Sequence, residues 1–512
     1  MNNIKQSHIE LPRLKQNLLP QLPADIDVPT YDRTQLKAGI VHIGVGGFHR
    51  AHQAVYTNEL LKIAGNEQWG ICGVGLFENN RGLSEILAAQ DYLYTVIVRH
   101  PNGEIEHKIV GSMIDFLLAP DDKQKVIDKL AHPDTKIVSL TITEGGYNIN
   151  PATGEFNSQS ADIVHDINQP TDPKTTFGFL TAALKQRKEA GLPAFTVMSC
   201  DNIQHNGDMT KKMLLAFIEL TDSELATWVN EQVCFPNSMV DRITPQTTAV
   251  ELNHVEQQLG FSDQWPITCE PFTQWVIEDN FSQGCPKWQL ADEKTGAQFV
   301  DNVAPYEKMK LRLLNAGHSV LGILGAVEGF STINECVQDP VFKQFLRVYL
   351  DKEATPTLDE VKGVDLEAYK NDLIERFANP NIKDSVSRIC SESSAKIPKF
   401  ILETASQNLA AQRDVRLAAL LIAAWCWYSD RQVDRYGQAI NIQDEMQKSL
   451  HLNAAKTPQD NLAFIRQADL FGDLINNKAF VNAYIKAVHH IYATATQSGI
   501  KPIMLNYLTE KE

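Results

Sequence analysis

Paired cysteines are the first thing this chain lacks. Its eight cysteines (Cys72, Cys200, Cys234, Cys269, Cys285, Cys336, Cys390 and Cys426) are scattered, and no two form a Cys-x-x-Cys pair. That argues against a zinc knuckle or a thioredoxin-like motif, and sparse cysteine suits a reducing compartment. A long apolar run is also missing. The longest, Leu417 to Tyr428, has 12 residues, short of the roughly 20 that span a bilayer. The N-terminus has no apolar run behind a basic start, so no signal peptide is expected. Positive charge is short as well: the formal net charge is −16, and a nucleic-acid surface would need a basic stripe. No repeat, low-complexity segment or heptad run declares a fibre or an assembly. The expectation is a cytoplasmic protein with neither nucleic-acid nor membrane partners.

What is present is an ordinary globular composition. The 512 residues are 43% hydrophobic and 21% charged, enough for two or three domains. The first half alternates β-rich runs with helical patterns. Gly39–Ile43, Trp69–Leu76, Tyr92–Val98, Glu104–Val110, Lys136–Ile142 and Ala194–Met198 read as strands. Asn102-Gly103 makes an antiparallel hairpin of the third and fourth. From about Ala304 the pattern becomes long helices: Tyr306–Val327, Pro340–Leu350, Lys396–Gln412 and Val415–Tyr428. The fold class expected is α/β, a Rossmann-type mostly parallel sheet domain followed by a mainly α-helical domain, with the active site in the cleft between them. The boundary is expected around the turn-rich Asp292–Gly296, giving domains 1–295 and 296–512.

Four polar groups mark the start of the helical half. Glu307, Lys310, Asn315 and His318 stand among Leu311, Leu313, Leu314, Val320 and Leu321. At about 100° per residue, with Lys310 at zero, Glu307 falls near 60°, His318 near 80° and Asn315 near 140°. A solvated face would repeat Glu and Lys. This one offers a possible base, a neutral donor, a titratable ring and a carboxylate, a mixture suited to proton transfer at a carbonyl or alcohol carbon. Incidental polar residues on a half-buried helix would give the same spacing.

Further candidates lie where strands end. Gly44-Val45-Gly46-Gly47-Phe48 follows the first strand and precedes a helix, the setting in which a backbone approaches a pyrophosphate. His49 stands where the usual pattern has a third glycine. His49 or Arg50 could support phosphates by charge, and a ligand-free tight turn is the alternative. Glu78 and Asn79 end the second strand, where a carboxylate favours NAD over NADP; the neighbouring Arg81 keeps NADP open. Thr143-Glu144-Gly145-Gly146 and Cys200-Asp201-Asn202 end two more strands. Asp241-Arg242 is an acid–base pair in which Arg242 is expected to form a structural Asp–Arg bridge. Arg388 and Lys396 flank a serine-rich turn and could donate to sugar hydroxyls or to a carboxylate, or simply be solvated.

Taken together, Gly44–His52, Thr143–Asn148, Ser199–Asn202, Phe235–Pro245, Lys310–His318 and Arg388–Lys396 occur in an order that resembles the polyol-specific long-chain dehydrogenases, the mannitol dehydrogenase family. The resemblance runs from about residue 35 to beyond residue 400. It implies metal-free hydride transfer between NAD, with NADP not excluded, and a polyol/ketose pair, D-mannitol and D-fructose first among them. Lys310 then resembles the general base. Asn315 and His318 resemble the groups on the reacting oxygen, and Glu307 a carboxylate that passes the proton onward. Asn202, Asp241, Arg388 and Lys396 resemble substrate contacts. Gly44, Val45, Gly46, Gly47, Phe48, Glu78, Thr143 and Glu144 resemble cofactor contacts. A small-molecule polyol or ketose is the partner implied, on a monomer or a dimer. Fructuronate, tagaturonate, arabinitol, sorbitol or a sugar phosphate are other substrates consistent with the same residues. A silent NAD-binding regulator is the alternative of a different class, against which the intact Lys310, Asn315 and His318 speak.

Overall fold

The computed structural model describes residues 11–150, 154–291 and 296–509. The chain forms two compact units, Met1–Ala304 and Pro305–Glu512. Most of the turn expected at 292–296 lies outside the described residues.

The first unit is organised by a five-stranded parallel sheet. Its strands are β1 (Ile40–Ile43), β2 (Ile71–Gly75), β5 (Met113–Leu118), β6 (Ile137–Leu140) and β7 (Thr196–Ser199), in the order β5-β2-β1-β6-β7. Every residue of β1 is buried, as a parallel strand covered on both faces requires. Alternation divides them. Val41 and Ile43 join Val74, Leu140, Phe177 and Leu180 in one core. Ile40 joins Ile71, Ile137, Met198 and Trp275 in the other. The strand order reverses at β1, between β2 and β6. Such a reversal opens a crevice at the carboxyl ends of the two strands, where open α/β sheets bind ligands.

Two small sheets complete this unit. β3 (Tyr94–Arg99) pairs antiparallel with β4 (Ile105–Val110) across the expected Asn-Gly turn, where Gly103 has φ +90°. β9 (Ile267–Cys269) adds to β3, and β8 (Ser238–Asp241) joins β10 (Gln274–Glu278) and β11 (Gln298–Val300).

The second unit is helical. The Ala316–Glu328 helix is buried at nearly every position and packs against the helices Ile333–Gln338, Val386–Cys390 and Arg416–Arg431. The glycines on it allow close approach. A Cβ on Gly322 would lie 2.8 Å from Ile389, and one on Gly317 would lie 3.2 Å from the Phe377 ring. No helix among the described residues is long and apolar enough to cross a membrane. The eight cysteines are free thiols.

Candidate functional site

The glycine loop at the end of β1 is held against the end of β6. Gly44 has φ +94°, and a Cβ there would sit 2.1 Å from the Thr141 carbonyl oxygen. Only glycine can pass this point, for both conformation and clearance. The Thr141 hydroxyl donates to the Gly44 carbonyl at 2.7 Å. Gly46 differs: a Cβ there would meet nothing nearer than the Gly44 oxygen, at 3.8 Å. The loop therefore presents open backbone at Gly46 just before the Gly47–Ala51 helix. Loop, crevice and clearance fit a dinucleotide pyrophosphate, with Gly44, Val45, Gly46, Gly47 and Phe48 as the residues that would line it.

His49 and Arg50 do not supply charge to that loop. His49 is fully buried and stacks on His42 with ring centroids 3.5 Å apart. Burial, with His42 and Arg50 beside it, holds its imidazole well below the usual histidine range, so the ring is neutral. Arg50 is also buried and donates to the Trp265 carbonyl at 2.5 Å. The expectation that either residue supports phosphates is corrected by their place in the core beneath the loop. Arg242 is buried and donates to the carbonyls of Ala51 and Glu270, so its role is structural through backbone acceptors.

The β6 loop is strained and buttressed. Thr143 has φ +60°, unusual for a β-branched residue. The Asp201 carboxylate accepts from the amides of Ile142 and Thr143 at 2.9 Å and from the Tyr147 hydroxyl at 2.7 Å. Burial raises the Asp201 carboxyl above its ordinary value, against these hydrogen bonds. Strain held by such buttresses is typical of functional loops. Glu144 is exposed beside Gly145, where a Cβ would meet nothing within 4 Å. Asn202 follows Asp201 and is exposed, while Asp241 ends β8 and is buried. Asn206 ties their strands, donating to the carbonyls of Asp201 and Ser238.

At the end of β2, Glu78 is exposed and accepts twice from Arg81, which also donates to Asp121. The Arg81 charge is thus engaged by two carboxylates. Beside them lies a cavity of about 340 Å³ lined by Leu76, Phe77, Glu78, Pro120, Lys123 and Phe179 among others.

In the second unit, the expected continuous helix Tyr306–Val327 is broken. An α-helix runs Ala304–Lys310, a π-helical turn covers Leu311–Asn315, and the α-helix resumes at Ala316. A π-turn inserts one residue, which turns everything beyond it back by about 100°. Lys310 and Asn315 are then separated by roughly 40° instead of 140°, and His318 falls about 20° to the other side of Lys310. With Glu307 near 60°, the four groups share roughly 80° of arc. The π-turn gathers them more closely than the spacing alone implied. Glu307, Lys310 and Asn315 are only 7%, 7% and 8% exposed. The turn is anchored by buried Arg312, which donates to the Thr357 carbonyl at 2.7 Å and to Gln407 at 2.8 Å. Two further π-turns, Leu350–Ala354 and Pro398–Leu402, pack against it.

His318 packs against Phe377, with centroids 4.3 Å apart and the ring planes tilted by 40°. Its Nε2 faces the Asp384 carboxylate at 3.9 Å, an ion-pair distance beyond hydrogen-bond reach, and that carboxylate accepts from Arg388 at 2.7 and 2.5 Å. Asp384 therefore lies between His318 and Arg388. Asp384 is a further candidate whose signal in the sequence is its i,i+4 spacing to Arg388. Lys396 is half-buried and donates to the carbonyls of Ser391 and Ile389 at 2.6 and 3.3 Å. It closes the end of the helix that carries Arg388. Among the described residues, no group of three or more His, Cys, Asp or Glu side chains could hold a metal ion.

Two family models match this chain. The mannitol dehydrogenase Rossmann domain covers residues 38–290, and the mannitol dehydrogenase C-terminal domain covers residues 302–492. Mannitol 2-dehydrogenase of Aspergillus oryzae is 44% identical over 507 residues, 97% of this chain and 99% of the relative. Mannitol 2-dehydrogenase of Aspergillus fumigatus is 43% identical over 490 residues, 94% and 96% of the two chains. Among solved structures, the ternary complex of Pseudomonas fluorescens mannitol 2-dehydrogenase with NAD and D-mannitol has a TM-score of 0.87 and 42% identity. It covers 98% of this chain and 100% of its own. A D-sorbitol dehydrogenase in substrate-free form has a TM-score of 0.86 and 35% identity, covering 96% and 100%. With the Rossmann-type sheet, the glycine loop and the polar helix all in place, this chain belongs to the mannitol dehydrogenase family.

Proposed function

We propose that this chain is an NAD-dependent polyol dehydrogenase that interconverts D-mannitol and D-fructose. The observation that carries the proposal is similarity along the full length to the NAD and D-mannitol complex, at 42% identity. The local geometry supports it. The Gly44–Phe48 loop is open enough for a pyrophosphate, and the exposed Glu78 at the end of β2 is the acceptor we assign to the ribose hydroxyls. NAD supplies the acceptor for the hydride that leaves the alcohol carbon. The chain's own residues handle the oxygen and its proton. Neutral Lys310 removes the hydroxyl proton as general base. Asn315 and His318 donate to the oxygen as negative charge develops there. Glu307, one helical turn from Lys310, passes the proton onward. Because Lys310 must enter the oxidation as a free amine, polyol oxidation should rise with pH and ketose reduction should favour lower pH.

The charges around Arg388 favour a neutral polyol over a sugar acid. Its guanidinium already pairs with Asp384, and Lys396 donates to two carbonyls. Arg388 is therefore not a spare cation for a substrate carboxylate. Asn202 and Asp241 remain the proposed contacts to hydroxyls remote from the reacting carbon, with Arg388 and Lys396 completing the set. The eight free thiols support a cytoplasmic site of action.

The test is a substrate panel. NAD⁺ and NADP⁺ are each supplied with D-mannitol, D-arabinitol, D-sorbitol, D-mannonate and mannitol 1-phosphate, and NAD(P)H formation is followed. The highest kcat/KM is expected for D-mannitol with NAD⁺, with D-fructose as product. Turnover of mannonate alone would refute the polyol assignment. No turnover in the panel, with NAD⁺ still bound, would favour a silent nucleotide-binding protein.

A further inference from the structure

The Val386–Cys390 helix docks on the Ala316–Glu328 helix where Gly322 leaves room for Ile389. That docking brings the segment before it, with Asp384, against His318. Asp384 is 6% exposed. One of its carboxylate oxygens accepts from Arg388 Nε at 2.7 Å; the other accepts from an Arg388 terminal nitrogen at 2.5 Å and lies 3.9 Å from His318 Nε2. The imidazole packs at a tilt against the Phe377 ring, and Gly317 gives that ring its place. The imidazole is thus bounded on one side by the Phe377 ring and on another by a carboxylate.

We propose that Asp384 is a positioning residue for two groups at once. It fixes the orientation of the His318 ring on the reacting oxygen, and it holds Arg388 in the pose that meets a substrate hydroxyl. The proposal deepens the functional assignment above and rests on it. A fixed imidazole donates along one line, and small displacements of such a donor lower turnover sharply. A bidentate carboxylate sets the plane of the guanidinium in the same way. One carboxylate therefore links recognition of the substrate chain to polarisation of the reacting carbon.

The two roles separate in a double-mutant cycle with Asp384→Asn and His318→Ala. In the otherwise unchanged protein, Asp384→Asn should lower kcat for mannitol oxidation about tenfold to a hundredfold. It should also raise KM for mannitol, while the NAD⁺ dissociation constant and Tm stay close to those of the parent. In the His318→Ala background the same change should leave kcat within about twofold, and the rise in KM should persist through Arg388. Asp384→Glu, which keeps the carboxylate, should recover part of the lost kcat. An equal loss of kcat in both backgrounds would overturn this proposal alone. A collapse of Tm and NAD⁺ binding in both Asp384 variants would also overturn it, by making Asp384 a residue of the fold. An unchanged kcat in His318→Ala would instead remove the role given to His318, and this proposal with it.

Discussion

The two units build their candidate sites in different ways. In Met1–Ala304 the candidate residues sit on loops at the ends of regular strands, and each loop is fixed by clearance. Gly44 meets the Thr141 carbonyl, and Asp201 clamps Ile142 and Thr143. In Pro305–Glu512 the candidate catalytic residues Glu307, Lys310, Asn315 and His318 follow one helical path, and their grouping depends on a break in it. The Leu311–Asn315 π-turn brings Asn315 and His318 to within about 40° of Lys310. A regular frame can present a ligand loop because the loop itself carries the irregularity. A helix has no loop to spare, so it gathers side chains five and eight residues apart only by changing its own register.

If that division holds, substitutions in the two regions should fail differently. The largest effect is expected for Lys310→Ala. Mannitol oxidation should fall about 10³- to 10⁴-fold in kcat, with NAD⁺ affinity retained in a direct binding titration. Gly44→Ala should do the reverse. Its Cβ would enter the Thr141 carbonyl from a left-handed backbone, costing about 2 kcal/mol or more. Tm should drop, and the NAD⁺ dissociation constant should rise at least about tenfold, whereas kcat at saturating NAD⁺ should change least. Equal effects of the two variants on NAD⁺ binding would erase the distinction.

A third prediction sharpens the account of the π-turns. Glu353 lies in the Leu350–Ala354 turn, fully buried, and accepts from the amides of Leu417 and Ala418. Burial outweighs these bonds and pushes its carboxyl up from 4.5 to about 8. Between these values the folded chain binds more protons than the unfolded chain. Stability should therefore fall as pH rises from about 4.5 to about 8 and level off above, with a slope of at most about 1.4 kcal/mol per pH unit from this group. Glu353→Gln should flatten that slope in calorimetric scans; an unchanged slope would show that Glu353 is ionised throughout. The smallest effect is expected for Arg81→Ala. The Glu78–Arg81 pair is exposed, so the NAD⁺ dissociation constant should move less than about fivefold.

The legibility of the two units differs for the same physical reason. The buried strands of the main sheet appear in the sequence as apolar runs, and the β3–β4 hairpin is announced by Asn102-Gly103. β5 was passed over, because Met113-Ile-Asp-Phe-Leu-Leu118 neither alternates nor forms an unbroken apolar run. β9 and β11 have three residues each, too few to show a period. The chemical types at Lys310, Asn315 and His318 were plain, but their angular placement was not. A π-turn inserts one residue and leaves composition untouched, so a uniform 100° step misplaced Asn315. His49 and Arg50 looked like phosphate ligands because polarity suggests exposure, whereas stacking on His42 and bonding to Trp265 bury both. Asp384 is far from His318 in sequence, and only the packing of Ile389 on Gly322 brings the two together.

Chemical rescue tests the central claim most directly. Lys310→Ala would be assayed for mannitol oxidation with NAD⁺ in the absence and presence of small primary amines such as methylamine. If Lys310 is the base, turnover should be nearly abolished without amine. It should then rise with the concentration of free amine and increase with amine basicity. Normal turnover without any amine would contradict the account.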